Sequence, residues 1–557
     1  MKRVLLSVYL IMACSFLIQA QTDSLMTGTD SPRDKNGNEF DFTGEFDLPP
    51  EFKIKLYGDH FFQYHIPVNE DYNNYNTLIT VPKLFNTLGI HIKNNNIELV
   101  SEWEFRGMAD KTGEWDSLSN IRIGENYIKW NPGKINLGFG FQNYTWGVAD
   151  ELNPTDNLNP ENYETGYKIE KVPVLSASVK YYPASWWSLE GVYIPFEQTD
   201  EYFFDTRDEI PAELFQEAYF SGYDLPTQRP ETSLKTTEDS VYYIYPKYNY
   251  ESGILGFKSS FYTPSVDFSL SYMYDSDPFY TPQIELERYA VVISQELEDY
   301  LYNNLSEEDA SYIINQLSGY NTYRIKSAGL KRTRIHRLGF DVKTIVDRYG
   351  IWLESCYSIT EDKNNNSYKI RNHDLAWTAG FDFFYGPNDR FYVNFQYAGK
   401  WIPGFDNQFY TDYPWGMPDE NYMDNEQYME EYYYRALAQP LGIQTEGTTH
   451  GFMAQLEWSF LNGKIKPVIN GYYTLPVNYD KKEKKRYGSL LLMPEIDFAP
   501  GNSLHLFLGT NLAYSWFRPA GSNTVKNNDH SDLIGYLYPY NNIWFKISYK
   551  WDQMLKQ

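Results

Sequence analysis

Cysteine is nearly absent: the 557 residues hold two, Cys14 and Cys356. Cys14 sits in a short apolar stretch that follows Met1-Lys2-Arg3 and ends at Ile18-Gln19-Ala20, before Gln21. A basic start, a short apolar core and a small residue at the cleavage position mark a secretory signal peptide, expected to be cut after Ala20. The alternative is a lipoprotein start, with Ile11-Met12-Ala13 preceding Cys14 and a still shorter apolar core. Once a signal peptide is removed, Cys356 has no partner in the chain, so export is not being used to staple the fold with disulfides.

Long apolar runs are missing as well. No later segment approaches the roughly 18 consecutive apolar residues of a membrane-spanning helix, which excludes a helical inner-membrane protein. Basic charge is in deficit, with 48 Lys and Arg against 74 Asp and Glu and a net charge of −26. That balance argues against a nucleic-acid partner. The acids gather in segments such as Glu197–Glu209 and Asp419–Glu431. The eight histidines fall in no nucleophile-elbow or zinc-ligand spacing, and no glycine-rich phosphate loop stands out. The expectation is therefore no enzyme, no catalytic residue, no metal and no cofactor.

Aromatic residues are abundant: 52 Tyr, 34 Phe and 14 Trp, at a mean hydropathy of −0.56. This pairing suits a transmembrane β-barrel, in which a polar lumen and loops dilute a thin lipid-facing band. It also suits a secreted carbohydrate-binding β protein, so pattern must decide. In Asn541–Trp551 the odd residues Ile543, Phe545, Ile547, Tyr549 and Trp551 form one face, and Trp544, Lys546, Ser548 and Lys550 the other. A period of two with unlike faces is a β-strand. A strand of about ten residues, aromatic at its end and closing the chain, is how an outer-membrane barrel finishes.

Similar strands arrive in pairs along the chain. Short turn-forming links such as Asn94-Asn95-Asn96, Asn131–Lys134, Asp347–Gly350, Gly386–Asp389 and Leu461–Gly463 alternate with long connections such as 196–249, 276–332 and 401–447. Strict alternation of short and long links is the rule of outer-membrane barrels. The count is about eighteen strands. The expected fold is an all-β, transmembrane, antiparallel up-and-down barrel with both ends of the chain in the periplasm. The expected layout is signal peptide 1–20, flexible periplasmic lead-in 21–50, barrel 51–551 and short tail 552–557. One long link also carries a helical signal: Gln283–Leu301 has helical spacing, and Ser306-Glu307-Glu308-Asp309 has the form of a helix start before Ala310–Leu317.

If the alternation holds, the inward parity carries about a dozen basic and a dozen acidic residues, a balanced wall with little selectivity of its own. Glu98, Glu102, Glu104 and Arg106 share one strand face as a charged ladder, either a salt-bridged wall or a binding site. The basic run Lys331-Arg332-Thr333-Arg334-Ile335-His336-Arg337 opens a strand and suits lipopolysaccharide phosphates or acidic loops.

The stretch Phe141–Tyr163 is the most distinctive. It contains Trp146, Gly147, Asp150, Asn153, Pro154, Thr155, Asp156, Asn159 and Pro160. Its Trp-Gly, Asn-Pro-Thr-Asp and second Asn-Pro resemble a little-characterised group of Gram-negative outer-membrane barrels in the wider porin superfamily. Val172–Ala177, Leu189–Pro195 and the end from Met493 onward are similar to that group too. The resemblance implies a barrel in the cell outer membrane, most simply a channel. It also implies outer-membrane lipid and lipopolysaccharide, the insertion machinery and small solutes as partners, and it carries no catalytic residue. The chain departs from the group in the residues beyond Trp551. Read physically, Asn-Pro and Thr-Asp are turn-forming pairs, so this loop is either a rigid piece packed on the barrel wall or a constriction whose Asp150, Glu151 and Asp156 face the pore. Two functions follow from different classes: a channel passing small hydrophilic solutes by diffusion, or a barrel closed by its loops that acts as a binding or structural surface protein.

Overall fold

A computed structural model describes residues 52–68, 82–109, 120–150, 152–162, 170–196, 241–244, 253–277, 281–290, 299, 301–303, 306–307, 310–311, 321–364, 367–405, 425–438, 447–476, 488–517, 526–527, 534 and 537–555. The signal peptide and lead-in expected over 1–50 lie outside them.

Eighteen strands run in chain order: β1 (Lys53–Pro67), β2 (Lys83–Lys93), β3 (Ile97–Met108), β4 (Asn120–Trp130), β5 (Ile135–Gln142), β6 (Val174–Ala184), β7 (Trp187–Ile194), β8 (Ile254–Tyr262) and β9 (Val266–Ser276). They continue as β10 (Arg334–Val346), β11 (Tyr349–Ile359), β12 (Asp374–Tyr385), β13 (Phe391–Trp401), β14 (Thr448–Trp458), β15 (Ile465–Pro476), β16 (Gly488–Phe498), β17 (Leu504–Phe517) and β18 (Asn542–Leu555). Each pairs antiparallel with its neighbours in the chain. The ring closes where β18 pairs with β1, from Ile54 opposite Leu555 to Pro67 opposite Asn542. Closure leaves no strand edge, the condition for a sheet to cross hydrocarbon.

The two faces follow the period of two. The outward face exposes Ile121, Phe139, Phe257, Leu270 and Leu508, each more than half accessible. In a water-soluble protein such a belt would be an aggregation surface; against lipid it is the ordinary exterior. On β18, Ile543, Phe545 and Ile547 belong to this belt, whereas Ser548 and Asn542 are buried on the inner side. The inner face pairs its charges across strands: Lys550 with Asp59 at 3.4 Å, Lys180 with Glu190 at 3.7 Å, and Lys466 with Glu457 at 3.8 Å.

The turns are tight for stated reasons. Asn94 accepts the backbone N–H groups of Asn96 and Ile97. Asp347, Asn388, Asp389 and Asn462 adopt positive φ, which Asn and Asp tolerate best, and Leu461 shares it in the same turn as Asn462.

Two expectations are corrected. Where a helix is expected over Gln283–Leu301, Thr281–Ala290 is a strand, paired with Asn321–Lys331, whose end runs parallel to Val241–Ile244; residues 291–298 and 300 lie outside the described residues, and 299 and 301–303 are helical. The run Ile284-Glu285-Leu286-Glu287 alternates as well as it spirals, and a waiting partner strand decides between the two. The later helix signal fares better, since Ala310 N–H bonds Ser306 O at 2.9 Å, the first turn of a helix starting at Ser306. The second correction is at the end of the chain. The closing strand does not stop at Trp551 but runs to Leu555, with Asp552 paired to Lys55 at 2.7 Å. The backbone ladder to β1 continues past the aromatic, with Leu555 opposite Ile54.

Placing a lysine on each face tests the assignment. Ile547→Lys, on the lipid side, should cost about 2–4 kcal/mol, and Gln455→Lys, on the lumen side, much less. Heat-modifiable gel mobility against denaturant reads the difference, and equal costs would reverse inside and outside.

Candidate functional site

The chain between β5 and β6 does not stand up from the barrel. It turns inward and lies on the inner wall. Its apolar part comes first: Tyr144, Trp146 and Leu158 are buried with Val174, Val192, Ile194, Ile254 and Met273 of the wall. The Trp146 ring rests where a side chain on Gly256 would collide with it, and Lys258 lies over the ring at 6.0 Å.

The polar part is organised by Glu354, a wholly buried residue of β11. Its Oε1 accepts the backbone N–H groups of Val148 and Ala149, and its Oε2 accepts the Thr155 hydroxyl at 3.0 Å. One carboxylate so takes three donors from a segment some two hundred residues away in sequence. Charge-assisted bonds of this kind are stronger than neutral ones. Gly147 makes the approach possible. Its φ is +96°, and a Cβ there would meet Asn153, Thr155 and Glu354 Oε1. Further round the wall, Leu152 N–H bonds Gln396 Oε1 at 3.3 Å, and Asn394 donates to Asp150. Thr155 also packs where Gly339 of β10 lacks a side chain.

The asparagines of the motif also bond nearby backbone. Asn153 donates to Trp146 O at 3.0 Å and accepts from Thr155 N–H at 3.2 Å. Asn157 bonds the Pro154 carbonyl at 2.7 Å, and Val172 N–H bonds the Pro160 carbonyl at 2.9 Å. Asn159 closes the base of the loop. It accepts Tyr144 N–H at 2.7 Å and donates to Gln142 O at 3.0 Å and Val172 O at 2.9 Å.

The three candidate pore acids separate. Asp156 is tied to Lys171 and accepts Trp146 N–H at 3.2 Å. Burial pushes its carboxyl up from the usual range, and the Lys171 ammonium opposes the shift. Asp150 is exposed beside Asn394. Glu151 lies outside the described residues.

The ladder is spoken for by its neighbours. Glu98 meets His91 at 2.9 Å and Lys93 at 3.6 Å. Glu102 accepts the Tyr57 hydroxyl at 2.9 Å, the Tyr57 ring passing over Gly89 on the intervening strand. Arg106 bonds Glu104 at 2.6 Å and lies 4.7 Å from the Phe85 ring centre. Of these four, Glu98 has ionic partners on the neighbouring strand, Glu104 and Arg106 pair along their own strand, and Glu102 takes a hydroxyl.

A second segment folds inward, before β18. Ile534, Leu537 and Tyr540 are buried against Leu491 and Ala513. Asn541 fixes its exit, accepting Ala513 N–H at 2.6 Å and donating to Ala513 O at 3.0 Å. Above the barrel the loops are knitted together. Glu430, in the helix Glu426–Ala438 between β13 and β14, accepts the Tyr368 hydroxyl at 2.8 Å and meets Lys369 at 2.6 Å. Tyr434 of that helix accepts Ile284 N–H at 3.1 Å.

Sequence reasoning does not single out Glu354 as the receiver of the loop. Nothing local marks it; only the fold brings β11 to the loop.

No family model and no curated protein matches the chain. Among solved structures it is similar to OccAB3 of Acinetobacter baumannii, at 8% identity and a TM-score of 0.42, over 90% of this chain and 99% of that one. It is similar to OccK3 (OpdO) of Pseudomonas aeruginosa, at 8% identity and a TM-score of 0.42, over 90% and 96%. OpdK of Pseudomonas aeruginosa, solved with vanillate, aligns at 8% identity and a TM-score of 0.41, over 90% and 99%. The transmembrane barrel itself rests on the closed register described above.

Glu354→Ala should release the loop. It strands two amides that bonded a charged acceptor, a loss of about 3 kcal/mol or more. Hydrogen exchange at Val148 and Ala149 should quicken by roughly a hundredfold while the strands stay protected. Unchanged exchange would show that Trp146 and Leu158 hold the loop without Glu354.

Proposed function

We propose that the protein is an outer-membrane channel that passes small hydrophilic solutes by diffusion. The observation that carries this reading is a closed eighteen-strand cylinder with a polar, charge-paired inner wall, entered by a loop pinned at Glu354. A hydrated lumen is the use to which such a wall is suited, and an inserted loop narrows it. The reading assigns no catalytic chemistry. It places the long loops outside the cell, the tight turns in the periplasm, and the signal peptide of residues 1–20 in the export route. The insertion machinery would act on a closing strand that ends at Leu555.

Purified protein in planar bilayers should show conductance steps, and their absence under every loop-loosening condition would end this reading. The wall is balanced, so ion preference falls to the loop. Asp150 is an exposed carboxylate of that loop, and a charge at a narrow point acts at short range. A weak cation preference is expected, stronger at 0.01 M salt, where screening reaches about 30 Å, than at 0.1 M, where it reaches about 10 Å. Asp150→Asn should reduce it. Asp156→Ala should instead disturb the loop and raise conductance without changing the preference. Reversal potentials across a salt gradient measure both, and anion preference in the parent would overturn the assignment.

The knitted outer loops favour a second reading, a barrel roofed over as a binding or structural surface protein. On that reading the parent is silent in bilayers and Glu430→Gln, which weakens the contact to Lys369 and Tyr368, brings conductance. If the parent conducts and Glu430→Gln adds nothing, the roof does not close the barrel.

A further inference from the structure

The outward residues of the basic run that opens β10 take no part in the inner wall. On the outward face at the loop end of β9 and β10, the register sets Tyr274 opposite His336 and Tyr272 opposite Leu338. His336 is exposed, its Nδ1 bonded to the Tyr272 hydroxyl at 2.9 Å, and its ring lies 4.9 Å from that of Tyr274. Its Nε2 takes no part in that bond. One step nearer the rim, the Arg334 guanidinium lies 4.2 Å from the centre of the Tyr274 ring. Two of its nitrogens are oriented by Ser276 Oγ at 2.9 Å and Gly253 O at 2.7 Å. Directly below, on the same lipid face, Leu338 and Leu270 are 47% and 54% exposed. From rim to belt the order is therefore guanidinium, imidazole with two tyrosines, then aliphatic side chains.

That order matches an amphiphile with an anionic head. We propose that Arg334 and His336 hold a phosphate of a phosphorylated glycolipid of the outer leaflet, whose acyl chains lie along Leu338 and Leu270. A guanidinium suits phosphate because its N–H groups are set in a planar fork. Here the fork is oriented in advance by Ser276, Gly253 and the Tyr274 ring, so little side-chain freedom remains to be lost on binding. The tyrosines supply rings that are apolar on one side and polar at the tip, at the depth where headgroups meet chains. The position of this site in the outer leaflet rests on the outer-membrane reading above.

The test uses the full mature chain in detergent micelles, with native mass spectrometry reading retained lipid. Three probes are compared: a bisphosphorylated lipid A, its dephosphorylated form, and inorganic phosphate. The parent should retain the bisphosphorylated lipid and not the dephosphorylated one, and inorganic phosphate at equal concentration should not displace it. Arg334→Gln combined with His336→Asn should cut retention by about tenfold. His336→Asn alone, which removes the bond to the Tyr272 hydroxyl and the ring contact with Tyr274 but leaves Arg334 in place, should cut it less and covers the case in which the Arg334 change disturbs the rim. Arg348→Gln, an exposed arginine in a turn at the opposite end, should change nothing. Equal retention by the parent and both variants overturns the proposal. So does equal retention of the dephosphorylated lipid, displacement by inorganic phosphate, or an equal loss with Arg348→Gln. Bilayer recordings keep the two readings apart: retained lipid without conductance removes the channel and leaves this site, and conductance without retained lipid does the reverse.

Discussion

Hydrocarbon offers no hydrogen-bond partner to a peptide group, and the architecture answers to that one constraint. Each strand in the belt must find its bonds in a neighbour, and the row must return to its start. The seam between β1 and β18 satisfies the last edge along its length, from Ile54 to Pro67. With the backbone satisfied in this way, side chains are sorted by the solvent they meet. Ile543, Phe545 and Ile547 face lipid, and Asp59, Lys546 and Lys550 face the interior.

Inside the cylinder the same economy appears in reverse. A buried carboxylate is expensive unless it is fully bonded, and Glu354 is bonded by the segment that covers it. Loop and wall are thereby conditions of each other. Without the loop, Glu354 would need water. Without Glu354, the amides of Val148 and Ala149 would lose their acceptor.

The barrel is largely legible in the order of the amino acids. The alternation of faces, the turn residues and the alternating lengths of the links are local signals, and each survives folding. The strand count and the inner position of the ladder residues come from the same periodicity. The inserted loop is legible only in part. Trp146, Asn153 and Asn159 announce a specified shape through their turn chemistry, but the strand that receives it is written nowhere nearby. Gln283–Leu301 reads as a helix because its first apolar residues satisfy both periods, and over Thr281–Ala290 a distant partner settles the matter for a strand. The extension past Trp551 is hidden for a similar reason, since its partner is the strand β1 at the other end of the chain.

The distance in sequence between the loop and its seat also sets an order of events. The loop is complete by Val172, whereas Glu354, Asn394 and Gln396 belong to strands made much later. Until β11 and β13 have joined the wall, the segment carrying Trp146 and Thr155 has only half its binding surface. Contacts of such long range form late, after the chain entropy between their ends has been overcome. The interior is therefore narrowed as the cylinder nears completion, and a partly assembled barrel would be wider within than the finished one.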